Sequence, residues 1–323
     1  MATQLQSVAQ AVRALREQLL AGQLFQQLQA ALDHLMASVA VEPATPVALP
    51  DDDLAALAKM HTIRQRVKKT ATPSVSDDEL TFLVAHLASR SPAVRDKGAF
   101  FLLSDLFQMD AFTAAQVSWL FNTLQQPDIL FAHIMEPQND AVFQRSFAVM
   151  LLSGLVYADQ NRYHALSSKQ YSGLLQRMCV YVLLERDGRG YVDGSGWAHA
   201  YTHIGNLADE LTQVTGLARG EKIFLMASIL AGWQRMTVPL VYGEDQRIAA
   251  YLVNLAVKHQ FYADSLVMCL TAWQTRLHDV RPQENINFWN AWYNRSRLLE
   301  ALLMRGDLPK VVVDYLQKII DLY

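Results

Sequence analysis

His199 and His203 stand four positions apart in the stretch Gly196-Trp197-Ala198-His199-Ala200-Tyr201-Thr202-His203, with Asn206 and Glu210 following. Imidazoles at i and i+4 of a helix share one face, where they can hold a divalent metal between them or act as acid and base on a bound substrate. A metalloprotease helix places Glu directly after the first His, and Ala200 stands there instead. Asn206 is a poor replacement for a carboxylate ligand, and Glu210 lies about 10 Å beyond His203 along a helix axis. Further ligands would have to come from elsewhere in the fold. Three readings stay open on spacing alone: a metal site on His199 and His203, a metal-free polar pocket, and a solvated or structural pair.

The approach to these histidines is unusual in composition. Four of the chain's 14 glycines, Gly188, Gly190, Gly194 and Gly196, fall in the loop Asp187-Gly-Arg-Gly-Tyr-Val-Asp-Gly-Ser-Gly196. That density calls for special backbone conformations or a close approach to another group. Phosphate binding is a poor fit, because the loop follows a helical stretch rather than a strand and contains no Gly-Lys-Ser/Thr. At 100° per residue, Trp197, Tyr201, Ile204, Ala208 and Leu211 form the apolar stripe of the next helix, while His199, His203, Asn206 and Glu210 cluster opposite. On an outer helix that second face is solvated; on an inner helix it lines a groove.

Two other places carry charge where charge is costly. Arg145 interrupts a helix at 141–159 that is apolar nearly all round, so it needs a carboxylate partner. Asp96 or an acid of the 244–245 turn is the expected partner, the alternative being an anion-binding arginine at a pocket floor. Tyr242-Gly-Glu244-Asp245-Gln-Arg247 opens another helix, where first-turn acids are favoured by the helix dipole and Arg247 can pair with them. A pocket role for this turn requires it to face the histidine helix.

The elements that must position these residues are helices. The chain of 323 residues has only 14 Gly and 10 Pro, well below average usage, which disfavours turn-rich sheets. Periodicity predicts one or two Gln- and Ala-rich helices over 3–40, and the prolines of Val41–Pro50 then mark a boundary. Beyond it helices are predicted at 51–69, 77–89, 92–108, 113–124, 141–159, 168–186, 196–214, 220–235, 244–259, 261–277, 285–304 and 308–322, with Ser76 capping the second. The expected fold is all-α: antiparallel helix pairs stacked into an α/α superhelix of the HEAT or armadillo kind, with a closed α/α toroid as the alternative. Residues 1–45 are expected to form an N-terminal arm or hairpin, and 51–323 the superhelical domain.

Hydrophobic residues make up 51% and charged ones 18%, which excludes intrinsic disorder. The 28 basic and 31 acidic residues are interspersed, leaving no basic stripe for nucleic acid or an anionic membrane. The basic cluster Arg64 to Lys69 reads as a solvated helix end. Cys179 and Cys269 lie in separate apolar runs, as expected of reduced, buried thiols. No apolar stretch reaches the roughly 20 residues of a membrane span, and no secretory signal opens the chain, so a soluble cytoplasmic protein is expected.

Several separated blocks, in order, resemble a bacterial family, the domain of unknown function DUF2785, over roughly 77–277. They include Arg95-Asp96, Phe143-Gln-Arg145-Ser146-Phe147, the run from Arg189-Gly190-Tyr191-Val192 through Gly196-Trp197-Ala198-His199 with His203, Asp209-Glu210-Leu211, and Glu244-Asp245-Gln246-Arg247. The family usually has an acid three positions after the second histidine, where this chain has Asn206. The resemblance implies a helical fold and a single polar centre of Asp96, Arg145, Trp197, His199, His203, Glu244, Asp245 and Arg247. No nucleophile–base pair is evident, so the expected function is a binding or interaction module for an unknown protein, peptide or small polar ligand. The alternative is a hydrolase or lyase, possibly metal-dependent, that uses His199 or His203.

Overall fold

The computed structural model describes residues 2–279 and 284–319, and these are predominantly helical. The N-terminal stretch breaks at Gly22 (φ +78°) into α1 (Ala2–Leu20) and α2 (Leu28–Ala37). No helix spans the proline-rich residues before α3 (Asp53–Lys69). Ser76 and Glu79 form a reciprocal capping box that starts α4 (Asp77–Ala85), as its sequence suggests. The helix predicted at 92–108 is not continuous. A short α5 (Pro92–Val94) runs through one π-helical stretch, Arg95–Phe100, into α6 (Phe101–Gln108). Then come α7 (Ala114–Leu124), α8 (Pro127–Leu130), α9 (Val142–Ala158) and α10 (Ser168–Leu184).

A small antiparallel hairpin follows, β1 (Tyr191–Val192) against β2 (Gly196–Trp197). The chain continues through α11 (Ala200–Gln213), α12 (Arg219–Gln234), α13 (Glu244–Ala256), α14 (Gln260–Asp279), α15 (Ile286–Met304) and α16 (Lys310–Ile319). From α9 onward successive helices alternate between two rows. α9, α11, α13 and α15 are neighbours in one, and α10, α12, α14 and α16 in the other. Alternation buries an apolar face of every helix between the rows. It also explains why α12, in contact with α10, α14 and α2, is buried from Glu221 to Trp233.

α10 and α12 approach closely because residue 232 is glycine: a Cβ there would come within 2.2 Å of the Val182 carbonyl oxygen. The α1–α2 pair packs against α10, α12 and α14. Arg16 forms an ion pair with Glu221 there, and the Gln29 side chain donates to the Ala227 carbonyl at 3.1 Å. At the basic end of α3, Arg66 bonds the Glu79 carboxylate at 2.6 Å. Cys179 and Cys269 are free and buried, and burial pushes the Cys179 thiol up to about 12. Among the described residues no helix is long and apolar enough to cross a membrane.

Candidate functional site

The helix of the two histidines begins later than its periodicity suggests. Trp197 pairs with Tyr191 in the hairpin and is 40% exposed, so it does not join the core stripe expected of it. His199 is left-handed (φ +51°) and sits outside the helix, just before Ala200. The physical cause is the loop itself. Gly194 and Gly196, both left-handed at φ +72° and +73°, turn the chain back on itself, and the His199 N–H donates to the Arg189 carbonyl instead of entering a helical ladder. From Tyr201 on the prediction holds: Tyr201, Ile204, Ala208 and Leu211 are buried.

Arg95 clamps the hairpin from behind. Its guanidinium is fully buried over the Phe143 ring (4.3 Å) and the Phe147 ring (4.8 Å). It donates to the carbonyls of Ser89 (2.9 Å), Ser195 (2.8 Å) and Trp197 (3.3 Å). Asp96, expected in the polar centre, lies 2.7 Å from Arg95 Nε and serves as its counter-ion. Burial raises the Asp96 carboxyl, opposed by the Arg95 charge.

His203 is buried and its Nδ1 lies 2.9 Å from the Ser146 carbonyl oxygen, so the proton is on Nδ1. Its ring meets Phe147 edge to face at 5.4 Å. Burial pushes the imidazole down to about 3, which leaves it neutral. His199 Nδ1 bonds Thr202 Oγ1 at 3.0 Å and lies 3.8 Å from Glu244 Oε1, beyond hydrogen-bond length. His199 stands at the N-cap of α11, with its ring centroid 6.2 Å from that of His203. Among the described residues no three His, Cys, Asp or Glu side chains are placed to hold a metal ion.

Arg145 belongs to a separate network, and its partner is Glu185 rather than Asp96 or the 244–245 turn. Two hydrogen bonds link the side chains, Nε to Oε2 at 2.9 Å and Nη2 to Oε1 at 3.0 Å, with both side chains 2% exposed or less. Nη1 donates to the Ala132 carbonyl at 2.6 Å. Glu185 also accepts from Tyr181 Oη and from the Arg186 and Asp187 amides. Burial works against both charges, but each outweighs it for the other: the Glu185 carboxyl is held low and the Arg145 guanidinium high. Arg145 Nη1 also donates to Asn139 Oδ1 at 3.3 Å, so each of the three nitrogens of this arginine is engaged within the protein. Sequence reading missed Glu185, although a lone carboxylate ending the apolar run Met178–Leu184 was a usable signal.

A groove of about 660 Å³ opens between α6, α9, α11 and α13. Phe100, Met150 and Leu151 contribute its apolar wall, and Asn206, Glu210 and Arg247 its polar one. Gly205 lets α13 approach here, its Cα facing the Arg247 side chain. Among the described residues neither Glu210 nor Arg247 has an ion-pair partner, so Arg247 does not pair with Glu244 or Asp245 as its spacing allowed. Burial, with Asp209 beside it, raises the Glu210 carboxyl. Asp245 faces a different depression, shared with Arg297 and Glu300. The predicted residues thus divide. Trp197, His199, Glu244 and, behind them, His203 gather at the N-terminal ends of α11 and α13; Asn206 and Arg247 line the groove; Asp96, Arg145 and Asp245 lie apart from both.

A family model described as "Protein of unknown function (DUF2785)" matches residues 130–304, more than half of the chain. The matched region holds the blocks from Phe143 to Arg247 and leaves out Arg95-Asp96. No curated protein and no solved structure matches the chain significantly.

Proposed function

We propose that this chain, which belongs to the DUF2785 family, is a recognition module that binds a small polar ligand or short peptide in the groove between α6, α9, α11 and α13. One observation carries the reading. The groove sets the half-buried Glu210 and the exposed Arg247, neither with an ion-pair partner among the described residues, beside an apolar wall. Such a lining suits a ligand that carries both a basic and an acidic group around an apolar body. We read the two helix rows as stacked pairs of a HEAT- or armadillo-like α/α superhelix, with the groove on its concave side. The two buried, unpaired thiols suit a reducing compartment such as the cytoplasm.

A hydrolase or lyase reading draws on the proximity of His199 and Glu244. It is weaker on two grounds: 3.8 Å is too long for a base held by its acid, and burial that pushes His203 down to about 3 makes it a weak base.

Gly154 offers a test that spares the fold. It lines the groove, and a Cβ built on it meets nothing within 4 Å. Gly154→Phe should therefore fill the groove while gaining a few tenths of a kcal/mol in helix propensity. Amino acids, dipeptides and short peptides screened by ligand-observed NMR should yield binders of the native chain that lose at least roughly tenfold in affinity for Gly154→Phe at unchanged melting temperature. Hits that bind both proteins equally, or an empty screen, would overturn the reading.

A further inference from the structure

Three large aromatic side chains that the groove does not use remain exposed where α11 and α13 begin: Tyr191 (51%), Trp197 (40%) and Tyr242 (48%). Their rings form one cluster. The Trp197 centroid lies 5.0 Å from Tyr191 and 5.6 Å from Tyr242, with both tyrosine rings nearly perpendicular to it, and His199 lies 4.2 Å away on the same indole. The cluster is anchored firmly for a surface feature. Arg95 holds the Trp197 carbonyl, the strand pairing fixes Tyr191 opposite Trp197, and the Tyr242 ring rests on Gly190, where a Cβ would come within 2.1 Å of it. The rings are preorganised while about half of each residue stays exposed.

Beneath the cluster lies a carboxylate whose hydrogen bonding is incomplete. The Glu244 side chain is 1% exposed; Oε2 accepts from the Tyr242 amide at 2.8 Å, while among the described residues no well-formed hydrogen bond reaches Oε1, and the nearest balancing charge named for it is that of Arg297. Its neighbour His199 already bonds Thr202. A buried carboxylate oxygen without a donor is costly, and a cation drawn to the cluster would offset that cost. Among the described residues no Lys or Arg lies over any of the three rings.

We propose that this corner binds a quaternary or otherwise alkylated ammonium group on the faces of Tyr191, Trp197 and Tyr242, with Glu244 supplying the balancing negative charge. Aromatic faces attract a cation through their quadrupole but accept no strong hydrogen bonds. A primary ammonium would lose water that the rings do not replace, whereas a methylated one has few such bonds to lose. The assignment is independent of the groove.

The experiment is isothermal titration of the full chain with choline and with its uncharged isostere 3,3-dimethylbutan-1-ol. Choline should bind saturably and at least about tenfold more tightly than the alcohol. Trp197→Ala, at an exposed position, should keep the native melting temperature and weaken choline at least about fivefold. Glu244→Gln, which retains an acceptor for the Tyr242 amide, should shrink the preference for choline over the alcohol. Gly154→Phe should leave choline binding unchanged, so failure here and failure of the groove reading are told apart. A peptide carrying trimethyllysine, run against its unmodified form, separates a chain-borne ammonium from a free one: preference for either methylated probe supports the site, and the tighter names the source. No preference for either methylated probe over its control, no binding of any methylated probe, or undiminished choline binding by Trp197→Ala would overturn the proposal.

Discussion

Replacing Arg145 with Met should lower the free energy of unfolding by about 3–5 kcal/mol and the melting temperature by of order 5 °C. The loss comes less from the attraction removed than from the charge left behind. Glu185 is 1% exposed, and without the guanidinium its carboxylate keeps only the Tyr181 hydroxyl and two backbone amides. Its folded pKa, now held below the ordinary carboxylate range, would then rise, because burial is the largest influence on it and works upward. The sign with pH follows. In the native chain the pair contributes stability that is present above the unfolded carboxylate pKa and lost as pH falls through the folded one. In Arg145→Met that contribution is absent, so the two proteins should differ most near neutrality and converge in acid. Adding Glu185→Gln removes the stranded charge while keeping acceptors for the amides, so the double variant should be more stable than the sum of the two single losses by about 0.5–3 kcal/mol. Chemical denaturation of the four proteins at neutral and acid pH measures this. A cost below about 1 kcal/mol for Arg145→Met, or strict additivity, would show that the network does not hold a charge in place.

Arg145 also shows where sequence reading stops. That a guanidinium inside an apolar helix needs an acid follows from elementary electrostatics; which acid serves does not, because Glu185 is 40 residues away and its nearness is a product of α9 packing against the end of α10. Helical class was legible because few glycines and prolines interrupt the periodicity, and starts such as Ser76 carry their own capping chemistry. The π-helical stretch at Arg95–Phe100 was not, since one widened turn scarcely alters an apolar pattern. Extending the helical wheel back through Gly196 put Trp197 in the core, when the glycines nearby were the sign that the wheel had ended. The helical wheel grouped His199, His203, Asn206 and Glu210 on one face, yet one helix cannot reveal that His203 is sealed under Phe147 while Asn206 and Glu210 border open space. That depends on α9 lying against α11 and on α6 standing across the groove from it.

Buried neutral histidine makes the strongest acid-sensitivity prediction for a single side chain here. His203 has a folded pKa of about 3, lowered first by burial, then by the positive charges of His199 and Arg95, while its bond to the Ser146 carbonyl works the other way. An unfolded histidine takes up its proton near 6.5, so as pH falls the unfolded chain gains a proton that the folded one refuses. Stability from this group is therefore fully present above about pH 6.5 and drains away between there and about pH 3, at roughly 1.4 kcal/mol per pH unit. His203→Asn retains a donor for the Ser146 carbonyl but cannot titrate. At pH 7 the native chain should be the more stable, because Asn leaves the Phe147 edge uncovered. On going to pH 5 that advantage should shrink by about 2 kcal/mol. The difference between the two proteins is the readout, since paired carboxylates such as Glu185 and Glu221 also lose stability in acid but do so in both. Nitrogen-15 spectra of the ring supply a second, independent check: the neutral Nδ1–H form should persist at pH 5. A pH-independent stability difference, or a ring that titrates near 6.5, would mean that water reaches His203 and that the N-terminal end of α11 is looser than its packing against α9 implies.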